Sequence, residues 1–189
     1  IDESRMTPEL EREYRSGLEQ ALKTGWLILQ KGGSSLDAVE AAVCSLEDFP
    51  LFNAGRGSVF THEGKQEMDA CIMDGHRLRA GAVAFVRNNK NPVKLARLVM
   101  ERTEHALLAA EGANQFAGQI GMRTEPDEYF FTEHRWLQLQ EALAAGRVQL
   151  DHSAAAVSVP APATKPLGTV GAVACDSKGH LAAATSTGG

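Results

Sequence analysis

The sequence lacks the features that would place it at a membrane or on nucleic acid. No run reaches the ~18 apolar residues that a membrane-spanning helix needs, and no segment has the pattern of a signal peptide. Lysine and arginine do not cluster, and the formal net charge is −5, which argues against a nucleic-acid-binding surface. We therefore expect partners other than membranes or nucleic acids.

Cysteine and histidine are sparse, and common catalytic motifs are absent. Cys44, Cys71 and Cys175 are odd in number and widely spaced, so they match neither a disulfide framework nor a Cys-x-x-Cys metal site. The six histidines include no pair at the helical spacing of metal ligands. The sequence has no phosphate-binding P-loop, no Gly-x-Ser-x-Gly motif and no His-Glu-x-x-His motif. A reducing, cytoplasmic compartment is the expected location.

The sequence does contain enough apolar residues for a folded core, 43% of 189. Periodicity predicts helices at about 8–31, 35–47, 91–103 and 111–120, and a further helix within 129–145. Thr7 is expected to cap the first helix, Gly32-Gly33 to end it, and Ser34 or Ser35 to cap the second. It predicts strands at about 57–61, 67–73, 80–86, 106–110, 169–175 and 181–186. The first three strands are expected to form an antiparallel meander, and the strand at 106–110 to be buried. Because helices and strands occur in separate blocks, we expect an α+β fold rather than a parallel βαβ sheet.

Residues 147–167 are rich in Ser, Ala, Pro and Thr, and this composition predicts a mobile linker. The linker ends at Gly168, directly before a strand that begins with Thr169. A threonine hydroxyl is a poor nucleophile that its own α-amino group could activate. That activation requires cleavage of the Gly168–Thr169 bond. Spacing alone also allows a simpler interpretation, a strand that merely starts with Gly-Thr-Val.

Two further segments allow both a functional and a structural interpretation. Thr185 and Thr187 share one face of a strand that returns towards Thr169, where a hydroxyl could contact the nucleophile or only pair across strands. The loop at 46–57 is unusually apolar. Its backbone carbonyls could bind a monovalent cation, or its Phe and Leu side chains could simply fill the core.

Several segments, in order along the chain, resemble the plant-type (class 3) L-asparaginase and isoaspartyl peptidase family of N-terminal nucleophile hydrolases. The matching segments are Leu51-Phe52-Asn53-Ala54-Gly55-Arg56-Gly57, Met68-Asp69-Ala70-Cys71-Ile72-Met73-Asp74-Gly75, Ala80-Gly81-Ala82-Val83-Ala84, Asn91-Pro92-Val93, Gly168-Thr169-Val170-Gly171-Ala172-Val173-Ala174 and Ala184-Thr185-Ser186-Thr187-Gly188-Gly189. This resemblance implies a four-layer αββα sandwich. It also implies that the chain is made as a precursor that cuts itself between Gly168 and Thr169.

The resemblance also implies roles for individual residues. Thr169 would be the nucleophile, Thr187 would contact it, and Asn53 would lie near the scissile bond. A structural sodium ion would be held by the backbone carbonyls of Leu46, Glu47, Phe49, Phe52, Ala54 and Arg56. The reaction would be hydrolysis of L-asparagine or of β-aspartyl dipeptides through a β-aspartyl ester, with release of L-aspartate.

The expected organisation is one domain that lacks parts at both ends. Residues 1–168 would belong to the α-subunit, and residues 169–189 would begin the β-subunit. The remainder of the β-subunit would be needed to complete it. Two processed αβ units would then form a homodimer. The family's substrate clamp and oxyanion donors would lie beyond Gly189, so we expect 1–189 alone to be inactive. A glycosylasparaginase-like or taspase-like hydrolase, and a non-catalytic unprocessed fragment, are the alternatives.

Overall fold

The computed structural model describes residues 6–144 and 168–189, so the predicted linker at 147–167 lies outside the described residues. These residues form an α+β fold, as predicted. Its helices are α1 (Pro8–Gln30), α2 (Ser35–Glu47), α3 (Pro92–Arg102), α4 (Ala110–Gln119), α5 (Asp127–Phe130) and α6 (Glu133–Ala144). Its strands are β1 (Met68–Asp74), β2 (Arg79–Val86), β3 (Leu107–Ala109), β4 (Thr169–Cys175) and β5 (Leu181–Gly188).

The first two helices begin at the predicted capping residues. The Thr7 hydroxyl accepts the Leu10 N–H at 3.2 Å, and the Ser34 hydroxyl accepts the Asp37 N–H at 3.1 Å. These contacts satisfy backbone donors that have no partner inside the first turn of a helix. Helix α1 ends at Gln30, just before the predicted Gly-Gly stop.

The strands form one five-stranded sheet in the order β3-β2-β1-β5-β4. All neighbouring pairs are antiparallel except β2 and β3, which are parallel. Helices α2 and α3 pack on one face of this sheet and enclose the core. Among the described residues the other face is exposed, with Val173 84% and Leu181 61% exposed. This arrangement is one sheet and one helical layer, half of the αββα sandwich that the resemblance implies.

The strand predicted at 57–61 does not form, so the antiparallel meander has two strands rather than three. Gly55–Gly57 instead make one 3-10 turn. The following residues bond to side chains and not to a neighbouring strand: the Gln66 amide donates to the Ser58 carbonyl at 2.8 Å. Phe60 packs against Phe131 and Trp136 at ring-centroid distances of 6.0 and 5.4 Å. These tertiary contacts override the local strand propensity of 57–61.

The helix predicted within 129–145 forms as α6, at whose start the Thr132 hydroxyl accepts the Arg135 N–H at 3.3 Å. A further prediction needs correction. The strand predicted as buried at 106–110 is β3, an edge strand with Leu107 55% exposed. Since α3 connects β2 to β3 in parallel, the fold does contain one βαβ unit, against expectation.

Candidate active site

The carbonyl oxygen of Gly168 accepts two hydrogen bonds from different parts of the chain. Asn53 Nδ2 donates to it at 2.8 Å, and Thr187 Oγ1 donates to it at 2.8 Å. Three of the residues singled out from the sequence therefore meet at the peptide bond that precedes Thr169. Two donors aimed at one carbonyl oxygen can stabilise negative charge that develops there during attack on its carbon.

The hairpin of β4 and β5 brings the threonines together. Thr169 is directly opposite Thr187 in the antiparallel register, and Gly171 is opposite Thr185. Thr185 does not reach the Gly168 carbonyl; its hydroxyl lies 3.0 Å from the Cys71 sulfur on β1. Only the second of the two predicted hydroxyls thus contacts the candidate scissile bond.

Asn53 is held by hydrogen bonds at both ends of its amide. Its Oδ1 accepts the Val59 N–H at 3.0 Å, and its Nδ2 also donates to the Gly188 carbonyl at 3.0 Å. The side chain is buried, with 5% of its surface exposed. This network orients Nδ2 towards Gly168 and ties the loop that carries Asn53 to the end of β5.

The loop at 46–57 supplies the six carbonyls predicted as sodium ligands. The carbonyls of Leu46, Phe52 and Ala54 accept backbone N–H groups at 3.2, 2.9 and 3.1 Å. A carbonyl oxygen carries two lone pairs. The Glu47 carbonyl faces Gly55, which has φ of +51°, and a Cβ at Gly55 would come within 2.4 Å of that oxygen. Carbonyl oxygens are the type of ligand that a hard cation prefers.

The carboxylates of β1 and the end of α2 have structural contacts. Asp69 accepts the Phe85 N–H at 2.8 Å, and Asp74 accepts the His76 N–H at 2.9 Å. The Glu47 carboxyl is fully buried between α2 and the start of α3. Burial raises the pKa of Glu47 to about 8, although a hydrogen bond from the Val93 N–H, at 3.0 Å, acts to lower it.

The chain is similar to known proteins of one family. A family model described as "Asparaginase" matches residues 1–189. The chain belongs to this asparaginase family. It is 50% identical over 189 residues to an isoaspartyl peptidase of Salmonella typhimurium, covering all of this chain and 59% of that protein. It is 46% identical over 185 residues to a human isoaspartyl peptidase/L-asparaginase, covering 97% of this chain and 56% of that protein.

Membership confirms the family resemblance drawn from the sequence. The chain spans about six-tenths of the length of the curated relatives that it matches, for example 58% of an isoaspartyl peptidase of Escherichia coli at 48% identity. Within residues 6–144 and 168–189, no helix is long and apolar enough to cross a membrane.

One residue near the site was missed by sequence reasoning. Arg135, on α6, is 2% exposed, and its Nε donates to the Gly57 carbonyl at 2.8 Å. Its Nη2 lies 3.4 Å from the Leu51 carbonyl, which also accepts the Tyr14 hydroxyl at 3.3 Å. An arginine in an amphipathic helix is usually solvated, so periodicity offered no signal that it was buried.

Proposed function

We propose that the protein is a self-processing amidohydrolase that cuts its Gly168–Thr169 bond and then uses Thr169 as nucleophile. The observation that carries this proposal is the pair of donors on the Gly168 carbonyl, Asn53 Nδ2 and Thr187 Oγ1, each at 2.8 Å. Family membership, with relatives named isoaspartyl peptidase and isoaspartyl peptidase/L-asparaginase, supports the reaction class.

In the self-cleavage step, Thr169 Oγ adds to the carbonyl carbon of Gly168 and gives up its proton. Negative charge then develops on the oxygen that Asn53 and Thr187 already contact. The C–N bond breaks as the Thr169 nitrogen takes up the proton that its hydroxyl gave up, which leaves an ester between Gly168 and Thr169 Oγ. Water hydrolyses this ester to a Gly168 carboxylate and a free Thr169 amine.

The new α-amine would then serve as general base, because its unperturbed pKa of about 7.7–8.0 is close to neutral pH. It would take the Thr169 hydroxyl proton as that oxygen attacks the side-chain amide of L-asparagine or the β-aspartyl bond of a dipeptide. The amine passes this proton to the leaving ammonia or amino acid as the substrate C–N bond breaks and a β-aspartyl ester forms on Thr169. Water then hydrolyses the ester to L-aspartate and regenerates the Thr169 hydroxyl.

We further propose a structural sodium ion held by the carbonyls of the 46–57 loop, namely those of Leu46, Glu47, Phe49, Phe52, Ala54 and Arg56. The ion would supply fixed positive charge that holds the loop closed. We also propose a homodimer of processed αβ units that includes the remainder of the β-subunit, and a cytoplasmic location. The three unpaired thiols Cys44, Cys71 and Cys175 support that location.

The test is hydrolysis by the complete protein of two substrates, β-aspartyl-leucine and L-asparagine, with aspartate and ammonia as readouts. We expect aspartate release from at least one substrate, and its loss in the Thr169→Ala variant. We expect no release by residues 1–189 alone. A complete wild-type protein that released neither product would refute the proposed hydrolase.

A further inference from the structure

We infer that Arg135 is a positioning residue for self-cleavage, because it holds the loop that aims Asn53 at the Gly168 carbonyl. This inference rests on the proposed function. It starts from the two carbonyls that the guanidinium contacts, those of Leu51 and Gly57, at 3.4 and 2.8 Å. These residues are the two ends of a seven-residue segment, and Asn53 lies between them. One side chain therefore fixes both ends of the segment that carries the donor.

Burial gives this contact its importance. Arg135 is 2% exposed, and a guanidinium withdrawn from water needs hydrogen bonds to offset the loss of hydration. A third donor, Nη1, is bonded to Gln138 Oε1 at 3.0 Å on the same helix. The side chain is thus anchored to α6 while its other donors reach the loop. The planar guanidinium keeps its N–H groups in a fixed relation, which a lysine ammonium cannot reproduce.

The segment itself has little freedom to compensate. A Cβ at Gly57 would come within 2.0 Å of the Phe52 carbonyl oxygen and 2.6 Å of the Pro50 carbonyl oxygen, so the chain folds back tightly on itself. The Leu51 carbonyl is contacted from a second side by Tyr14 of α1. Loss of the guanidinium would release the loop from α6, and small displacements of a positioned group can cost large factors in rate.

The kinetic test is a double-mutant cycle on self-cleavage in the complete protein. Arg135→Met is expected to slow cleavage about tenfold or more, and Arg135→Lys to slow it also, because one ammonium does not serve both carbonyls. If Arg135 acts through Asn53, adding Arg135→Met to Asn53→Ala slows cleavage no further. Multiplied effects in the double variant, or wild-type rates in both Arg135 variants, would overturn the inference. Arg12→Met, at an exposed arginine paired with Glu9, is the matched control.

A second measurement does not depend on cleavage or on the proposed function. The Val59 N–H donates to Asn53 Oδ1. Its hydrogen exchange, measured in the uncleaved Thr169→Ala protein, therefore reports the order of the loop. Gln138→Ala removes one anchor of the guanidinium and disturbs the fold less than a change at Arg135. We expect it to speed hydrogen exchange at Val59. The Arg135 variants that fold should also speed this exchange. Unchanged exchange at Val59 in Gln138→Ala and Arg135→Lys would refute the positioning role. A wild-type protein that fails to cleave would refute the proposed function and the role of Arg135 in cleavage, whereas the exchange at Val59 decides separately whether Arg135 holds the loop.

Discussion

The two regions that meet at Gly168 are built on different principles. The hairpin of β4 and β5 is regular, and backbone pairing alone places Thr187 opposite Thr169. The segment from Leu51 to Gly57 has no strand partner, and its shape depends on Arg135 and on close backbone contacts. A regular element can position a side chain through its own register, whereas an irregular loop needs distant residues to hold it. The loop should therefore be the more sensitive half of the site.

The largest expected effect comes from removing one donor at a time from the Gly168 carbonyl. Asn53→Ala should slow self-cleavage by about 10²–10³-fold, the usual effect of losing one donor to a developing oxyanion. Thr187→Val should slow it less, because Asn53 also bonds to Val59 and Gly188 and its loss frees the loop. The rates can be followed by gel electrophoresis of freshly purified protein. A Thr187→Val protein slower than Asn53→Ala would reverse the comparison.

A matched pair of glycine substitutions compares the packing of the two regions. Gly57→Ala places a Cβ 2.0 Å from a backbone oxygen, so we expect the free energy of unfolding to fall by about 2 kcal/mol. Gly171→Ala, on β4, brings the nearest contact to 3.1 Å, and we expect a change within about 0.5 kcal/mol. Denaturant unfolding in the Thr169→Ala background measures both. Equal effects would contradict the distinction between loop and hairpin.

The smallest expected effect is at the far end of the hairpin. Burial acts to raise the pKa of Asp176, but hydrogen bonds from the backbone N–H groups of His180, Ser35 and Lys178 hold it below the ordinary value of 3.8. The carboxylate thus stabilises the fold above pH 3.8, and this contribution is lost as the pH falls through the lowered pKa.

Asp176→Asn should therefore lower the melting temperature at pH 7, and the difference from wild type should shrink at pH values below 3.8. The measurement is a pH series of thermal unfolding in the Thr169→Ala background. Self-cleavage should be unaffected, because Asp176 is in the turn at the opposite end of β4 from Thr169. A stability difference that is the same at pH 7 and at the acid end of the series would exclude this electrostatic role.

The contrast between hairpin and loop also explains how much the sequence could predict. The composition of residues 169–175 and 181–186 was sufficient to predict β4 and β5, and capping residues were sufficient for the starts of α1 and α2. The strand predicted at 57–61 was wrong because Gln66, Phe131 and Trp136 contact that segment from elsewhere in the chain. Arg135 was missed for the same reason, since its partners are about 80 residues away, for example 78 positions for Gly57.

The central claim is that the protein cuts its own chain after Gly168, whose carbonyl oxygen accepts hydrogen bonds from Asn53 and Thr187. Intact-mass spectrometry of the complete protein after purification and incubation tests this most directly. We expect two fragments, one ending at Gly168 and one beginning with Thr169, and a single uncut mass for Thr169→Ala. An uncut wild-type protein, or a break at any other bond, would contradict it.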